Sequence, residues 1–505
     1  MHIDAKLIIN SIYSGGRKPF VIRSNEKLSY SRLSHSISSC LKVFDCAGLI
    51  SQDRVMIVTF DEDAAVAAFL AATLDGKVPT IISPETPHSG LKAMASHYDP
   101  KWIFADEEKP SWATTSSGSS VATDITKKIK LFVRGQNQRQ PIGTVSPRDT
   151  AYVMFTSGST ANPKAVSITH AALAAQLGEL AMLFAYEAES RIFNGLMLSH
   201  ADGLIQGPVL AAAVNASWLR PPVFTPAGVE SWLNMVSGMG ATHFISVPTV
   251  YELIDRLSLD NDYFESPKLK MLQSVGAKLS FDLRNRIENR FGKPVANHYG
   301  LTETVVSALY NVPGSTCSGK GDVGKGIAVE AKLQTAIKDT NNEIGELLLR
   351  GPQVFSGYWR ADELTSAVLI NGWLRTGDLA KTEDDGTITI IGRIKTSINT
   401  GGLLVFPDEI DEVLLTHPAV SEAATIGVPD DVHGEIAISA VVLASGVKEY
   451  DLAAHCMDKL EPLKVPKHIV AVNSIPRGDI GKPKISELGE ILQSHLSNEL
   501  SLIHI

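Results

Sequence analysis

Short runs of β-branched and apolar residues alternate with helix-length runs along most of this chain, and that alternation constrains the fold most. Val55–Phe60 (VMIVTF) is followed by Ala64–Leu74 (AAVAAFLAATL) and then by Val78–Ile82 (VPTII). Two strand-length runs separated by a helix-length one read as a βαβ unit. The alternation returns at His243–Val247, Thr249–Leu257, Met271–Val275 and Leu279–Arg290, which predicts parallel sheets covered by helices. At 505 residues the chain is too long for one ordinary core, so two or more domains are expected.

Other stretches have a different texture. Ser111–Thr126 is rich in Ser and Thr with little apolar content and reads as a surface loop. Beyond Gly345 short strands and turns take over, with Asp384-Asp385-Gly386 as a turn signal. From Pro407 onward helix and strand patterns resume over about one hundred residues, enough for a small second domain.

Composition excludes several classes. With 46 basic and 55 acidic residues the formal charge is −9 and no long basic run occurs, which argues against nucleic acid as a partner. Cys40, Cys46, Cys317 and Cys456 form no Cys-x-x-Cys and read as reduced thiols. Asp4 and Lys6 interrupt the N-terminal apolar segment, which makes it a poor signal peptide. The most apolar stretch, Ala64–Leu74, falls short of the roughly 20 residues that a membrane span needs. A cytoplasmic protein is the expectation.

Chemistry concentrates first at Tyr152–Lys164 (YVMFTSGSTANPK), an apolar strand running into a loop of hydroxyls and small residues that ends in lysine. Small residues let backbone N–H groups approach a phosphate, hydroxyls donate hydrogen bonds and lysine adds charge. No Gly-Lys-[Ser/Thr] closes the loop, so it is not a Walker loop. It resembles the phosphate loop of the acyl-adenylate-forming superfamily of acyl-CoA synthetases, nonribosomal peptide synthetase adenylation domains and luciferases. Further matches follow in that family's order to about Ile485.

The resemblance implies a role for each matching residue. Thr156, Ser157, Gly158, Ser159, Thr160 and Lys164 would cradle the phosphates of ATP. In Asn297-His-Tyr-Gly-Leu-Thr-Glu303, Asn297 would meet the adenine amino edge, Tyr299 would stack on the base and Gly300 would pass beside the nucleotide. Thr302 would contact the α-phosphate and Glu303 would hold Mg²⁺, which commonly takes one or two carboxylates plus substrate phosphates. Asp378, in Thr376-Gly377-Asp378, would accept both ribose hydroxyls, as an acceptor-only carboxylate can. Arg393 would lie near ribose and phosphate, and Lys395 would be the hinge.

Gly401 and Gly402 resemble the turn lining the thiol channel, and Lys482 resembles the catalytic lysine. His200 stands where acyl- and aryl-CoA synthetases place a histidine beside the substrate carboxylate, which points to an acid without an α-amino group. The lysines of Leu463–Lys467 would meet CoA phosphates or an acidic carrier face, or be solvated. Ala161, Ala165, Ile480 and Pro483 depart from the family pattern, and an added methyl at the first two restricts φ > 0. The pocket segments, which include Tyr251 and His298, suit a small or medium acid.

These matches imply an α/β fold: a large N-terminal domain of parallel and mixed sheets covered by helices, about residues 1–393, and a small mobile α+β domain, 394–505, with the active site in the cleft between them. The expected reaction is ATP-dependent conversion of a carboxylic acid to an acyl-adenylate, then transfer to a thiol. CoA is the expected acceptor, with the phosphopantetheine of an acyl carrier protein as the alternative. A catalytically degenerate nucleotide- or acyl-binding homologue is the competing reading.

Overall fold

The computed structural model describes residues 3–106, 110–113, 121–124, 139–142, 145–156, 164–319, 322–338, 343–400, 403–430, 432–443, 449–477 and 483–502. The chain divides into two compact units: Met1–Ser318, Gly324–Glu330 and Leu349–Leu374 in one, and Gly319–Val323, Ala331–Leu348 and Arg375–Ile505 in the other.

The larger unit holds an eight-stranded sheet in the order Leu309–Asn311, Val295–Tyr299, Met271–Ser274, His243–Ser246, Arg191–Asn194, Ser217–Leu219, Pro19–Ile22 and Lys27–Ser29. The six inner strands are parallel and the outermost pair at each end is antiparallel. Helices Val229–Gly238, Pro248–Leu257 and Phe281–Phe291 cover it, packing around Phe193, Trp232, Phe244 and Phe264. The last of these helices starts where Ser280 Oγ accepts the Leu283 amide at 3.2 Å and stops at Gly292, φ 62°. Both are terminus signals readable in the sequence.

The expected βαβ unit is present. Strand Arg54–Val58, helix Glu62–Leu74 and strand Val78–Ile81 enter a second, four-stranded parallel sheet. Asp61 caps the helix by accepting the Ala64 amide at 3.0 Å, and every residue from Ala64 to Leu74 is buried, as an all-round apolar helix must be. One expectation is corrected here. Val121–Asp124, inside the stretch read as a surface loop, is a strand paired with Trp102–Ala105. A third sheet joins Thr150–Phe155, Ala165–Thr169 and Gly357–Tyr358 antiparallel.

The smaller unit carries most of the sheet formed by Glu330–Lys338, Glu343–Arg350 and Trp373–Thr382, the last also paired with Ile388–Arg393. Its second sheet contains Leu403–Val405, Ile398–Thr400, Gly434–Leu443, Val420–Asp430 and His468–Ala471. Helices Pro407–Leu415 and Glu449–Lys459 share one core with it, around Val405, Leu414 and Leu452. Helix Ile485–Leu502 shares another, through Leu488 and Leu492. Among the described residues no helix is long and apolar enough to cross a membrane.

Candidate active site

Four neighbouring parallel strands of the large sheet end at one edge, and segments 195–200, 247–251, 275–279 and 300–304 leave from it. Open parallel sheets bind ligands beyond this carboxyl edge. Ser274 Oγ and Gln206 Oε1, both fully buried, have no hydrogen-bond partner among the described residues. Orphaned polar atoms of this kind call for a polar ligand or water.

Strand alternation sorts Asn297–Tyr299. Asn297 is buried and Tyr299 half-buried, and both face opposite to His298. His298 stacks on Phe184 with centroids 4.9 Å apart and packs edge-on against Tyr310 at 5.2 Å. Burial pushes its pKa down to about 3, so the ring is neutral. Tyr251 is fully buried and donates its hydroxyl to the Gln273 carbonyl at 3.0 Å. Both side chains are buried, and His298 Nε2 is a further buried atom without a hydrogen-bond partner among the described residues.

Beyond the strand a Cβ on Gly300 would lie 1.9 Å from the Val306 carbonyl oxygen, so only glycine fits. Thr302–Thr304 form one 3₁₀ turn, and Val305 then takes φ 66° and ψ −65° while the Val306 amide donates to the Thr304 carbonyl at 2.8 Å. A β-branched residue in this strained γ-turn costs about 1–3 kcal/mol, and such strain gathers at functional sites.

Glu303 is fastened at two points. Its carbonyl accepts the Phe355 amide at 2.8 Å, and its Oε1 accepts the Tyr358 hydroxyl at 2.7 Å. Lys164 Nζ sits 4.9 Å from the centroid of the same Tyr358 ring. The expected phosphate loop is closed at its base, where the Thr156 amide donates to the Lys164 carbonyl at 2.9 Å. Ser157, Gly158, Ser159, Thr160 and Ala161 lie outside the described residues. Ala165 is a strand residue paired with Phe155, so the positive-φ concern does not apply to it.

His200 is half-buried and precedes the short helix Ala201–Leu204. Two residues on, Asp202 Oδ1 accepts Gln206 Nε2 at 2.9 Å, and Oδ2 lies 3.5 Å from where a Cβ on Gly276 would stand. The chain then passes through the π-helical turn Ile205–Val209, with Gly207 at non-helical φ and ψ, a feature frequent at functional sites.

In the smaller unit Asp378 is 2 % exposed and pairs with Arg393 across adjacent strands, Nε to Oδ1 2.9 Å. Its amide donates to Thr376 Oγ1 at 3.0 Å, and the Gly377 amide, at φ 73°, donates to Glu346 Oε1 at 3.2 Å. Lys395 is exposed on the 3₁₀ turn Ile394–Thr396 between strands Ile388–Arg393 and Ile398–Thr400. Lys464 pairs with Glu409 at 2.9 Å, and Lys467 is exposed. Gly401, Gly402, Ile480 and Lys482 lie outside the described residues. Pro483 forms an isolated antiparallel bridge with Arg477, whose guanidinium pairs with Glu422 at 2.9 Å.

Sequence reasoning missed Tyr358, Glu346 and Val305. Gly357-Tyr358 carries no motif of its own, Glu346 is one carboxylate within a strand, and nothing marks Val305 as strained.

The match to known proteins spans both units. The AMP-binding enzyme model matches residues 11–359, and the AMP-binding enzyme C-terminal domain model matches 409–482. The chain is 33% identical over 492 residues to an oxalate–CoA ligase of Arabidopsis thaliana, covering 92% of this chain and 94% of that one. It is 28% identical over 480 residues to a sulfoacetate–CoA ligase of Cupriavidus necator, covering 92% and 93%. ATP-bound MatB from Rhodopseudomonas palustris shares the fold at TM-score 0.84 and 24% identity, covering 97% of this chain and 99% of that one. The fold is thus the adenylate-forming one. This chain belongs to the AMP-binding enzyme family.

Proposed function

We propose that this protein is an AMP-forming carboxylate–CoA ligase: ATP activates a carboxylic acid as an acyl-adenylate with release of pyrophosphate, and CoA takes the acyl group. The observation that carries this reading is similarity over more than nine tenths of both chains to ligases named for CoA.

Adenylation begins with a substrate carboxylate attacking the α-phosphorus in line, forming the new P–O bond as the bond to pyrophosphate breaks. Two anions must meet, so fixed positive charge and hydrogen bonds are the main requirement. Thr156–Thr160 and Lys164 hold the phosphates, Asn297, Tyr299 and Gly300 the adenine, and Asp378 with Arg393 the ribose. Thr302 contacts the α-phosphate and His200 orients the acid. Lys482 places an ammonium between attacking carboxylate and phosphate. The Asp378–Arg393 pair supports its own assignment, because a buried carboxylate already fixed by one donor is pre-oriented for ribose hydroxyls.

Glu303 fits a magnesium ion. Tyr358 occupies Oε1, which leaves Oε2 for a metal. No group of three or more acidic, His or Cys side chains gathers among the described residues, and one carboxylate with substrate phosphates is a common magnesium arrangement. When bound, magnesium neutralises charge on the phosphates and the leaving pyrophosphate.

Thioester formation then needs the thiol at the adenylate carbonyl, with AMP leaving. Domain 394–505 pivots at Lys395, withdrawing Lys482, and Gly401-Gly402 line the thiol's approach.

Pyrophosphate release, measured with ATP and Mg²⁺ across short, medium, long-chain and aryl acids together with oxalate and sulfoacetate, tests this. Release that requires one acid and rises with CoA supports it. Acid-dependent release unaffected by CoA moves the acceptor to a carrier protein. ATP binding without release for any acid favours a degenerate homologue.

A further inference from the structure

Tyr358 touches two groups that approach the phosphates from different parts of the chain. Its phenol donates to Glu303 Oε1 at 2.7 Å, and its ring lies under Lys164 Nζ at 4.9 Å from the centroid. The side chain is almost fully buried.

The backbone around Tyr358 ties the same two places. Gly357 and Tyr358 pair with Ser167 and Val166, on the strand that follows Lys164. The Trp359 amide donates to the Ala165 carbonyl at 2.7 Å, and the Phe355 amide donates to the Glu303 carbonyl at 2.8 Å. Five consecutive residues thus join the strand leaving the phosphate loop to both the main chain and the side chain of Glu303.

We propose that Tyr358 is a positioning residue for the adenylation site: its hydroxyl fixes the Glu303 carboxylate so that Oε2 is presented to magnesium, and its ring steers the Lys164 ammonium. The proposal rests on the reading above, in which Glu303 holds the metal and Lys164 a phosphate. A glutamate on a one-turn 3₁₀ helix has several rotamers, and a donor on one oxygen selects among them. Partners behind a metal ligand typically change metal affinity or activity by 10–100-fold when removed. An ammonium over an aromatic face is attracted by its quadrupole, which restricts where Lys164 Nζ goes.

The test is the affinity of the enzyme for α,β-methylene-ATP with and without Mg²⁺, read as the ratio of the two dissociation constants. A purely structural defect shifts both constants together and leaves the ratio unchanged. Tyr358→Phe, which keeps the ring, is expected to lower the ratio by about 10-fold or more. Glu303→Gln is expected to abolish the Mg²⁺ effect, and the double variant to be no worse than Glu303→Gln, because the hydroxyl acts through that carboxylate. Tyr358→Leu, which also removes the ring, is expected to weaken binding without Mg²⁺ as Lys164→Ala does. A Tyr358→Phe enzyme with the wild-type ratio, beside a Glu303→Gln enzyme that has lost it, overturns the proposal and leaves the function intact. A Glu303→Gln enzyme with the wild-type ratio overturns the metal assignment and this proposal with it.

Discussion

In the larger unit Glu303 is braced through backbone and side chain by 355–358, and the adjoining chain is strained at Val305. In the smaller unit Asp378 is braced by Arg393 and its neighbours, but Lys395 and Asn399 lie exposed, the Asn399 amide donating to Glu435 Oε2 at 2.7 Å. The difference fits a division of labour. The groups proposed to serve the nucleotide are fixed by hydrogen bonds and an ion pair, as electrostatic preorganisation requires. The proposed pivot must instead absorb backbone change, and Lys395 stands exposed on a single 3₁₀ turn between two strands.

If that division is right, removing charge and removing motion should damage different steps. Lys482→Ala should lower acid-dependent ATP–pyrophosphate exchange by about 10²–10³-fold, the size of one lost transition-state donor. The same variant should convert supplied acyl-adenylate and CoA to thioester at near wild-type rate. Lys395→Pro should do the reverse, keeping exchange while overall thioester turnover falls by about tenfold or more. Full turnover in Lys395→Pro would remove the pivot from the account.

Asp202 bears on substrate charge. Its carboxylate stands beside the Gly276 turn, and oxalate and sulfoacetate, for which two of the relatives are named, each carry a second negative charge. The wild-type enzyme should therefore disfavour such dianionic acids. Asp202→Asn should raise their kcat/KM relative to a neutral-tailed acid by roughly fivefold to tenfold, a partly screened charge contact.

The smallest effect separates the units by pH. Burial lowers the His170 and His243 pKa values to about 4 and that of His298 to about 3. The unfolded chain then binds more protons between these values and the ordinary histidine range, so the larger unit loses stability as pH falls through that window. Asp411 in the smaller unit is raised to about 7, chiefly by burial. There the folded state binds more protons, and stability falls as pH rises from about 4 to 7. Thermal scans should show a drift of a few degrees between pH 5 and 8 assignable to the smaller unit, and Asp411→Asn should remove it.

How much of this was legible in the sequence depended on whether the cause was local. The helix around Ala64–Leu74 announces itself by its unbroken apolar run and the Asp61 cap, the one around Thr249–Leu257 by its period and the proline at its start, and Asn297–Glu303 by its contiguous motif. Val121–Asp124 was hidden because a four-residue strand in a Ser/Thr-rich stretch shows no pattern of its own; pairing with Trp102–Ala105 makes it one. Tyr358 escaped because its partners, Lys164 and Glu303, are far away along the chain.

In the proposed reaction the substrate carboxylate attacks the α-phosphorus, and CoA then displaces AMP. Transfer of label from ¹⁸O-carboxylate substrate tests it most directly, with the nucleotide product and inorganic phosphate analysed by mass spectrometry after turnover with ATP and CoA. One ¹⁸O in AMP, with acyl-CoA formed in equal amount and phosphate unlabelled, is the expected result. Label in inorganic phosphate, with ADP as the nucleotide product, would contradict it.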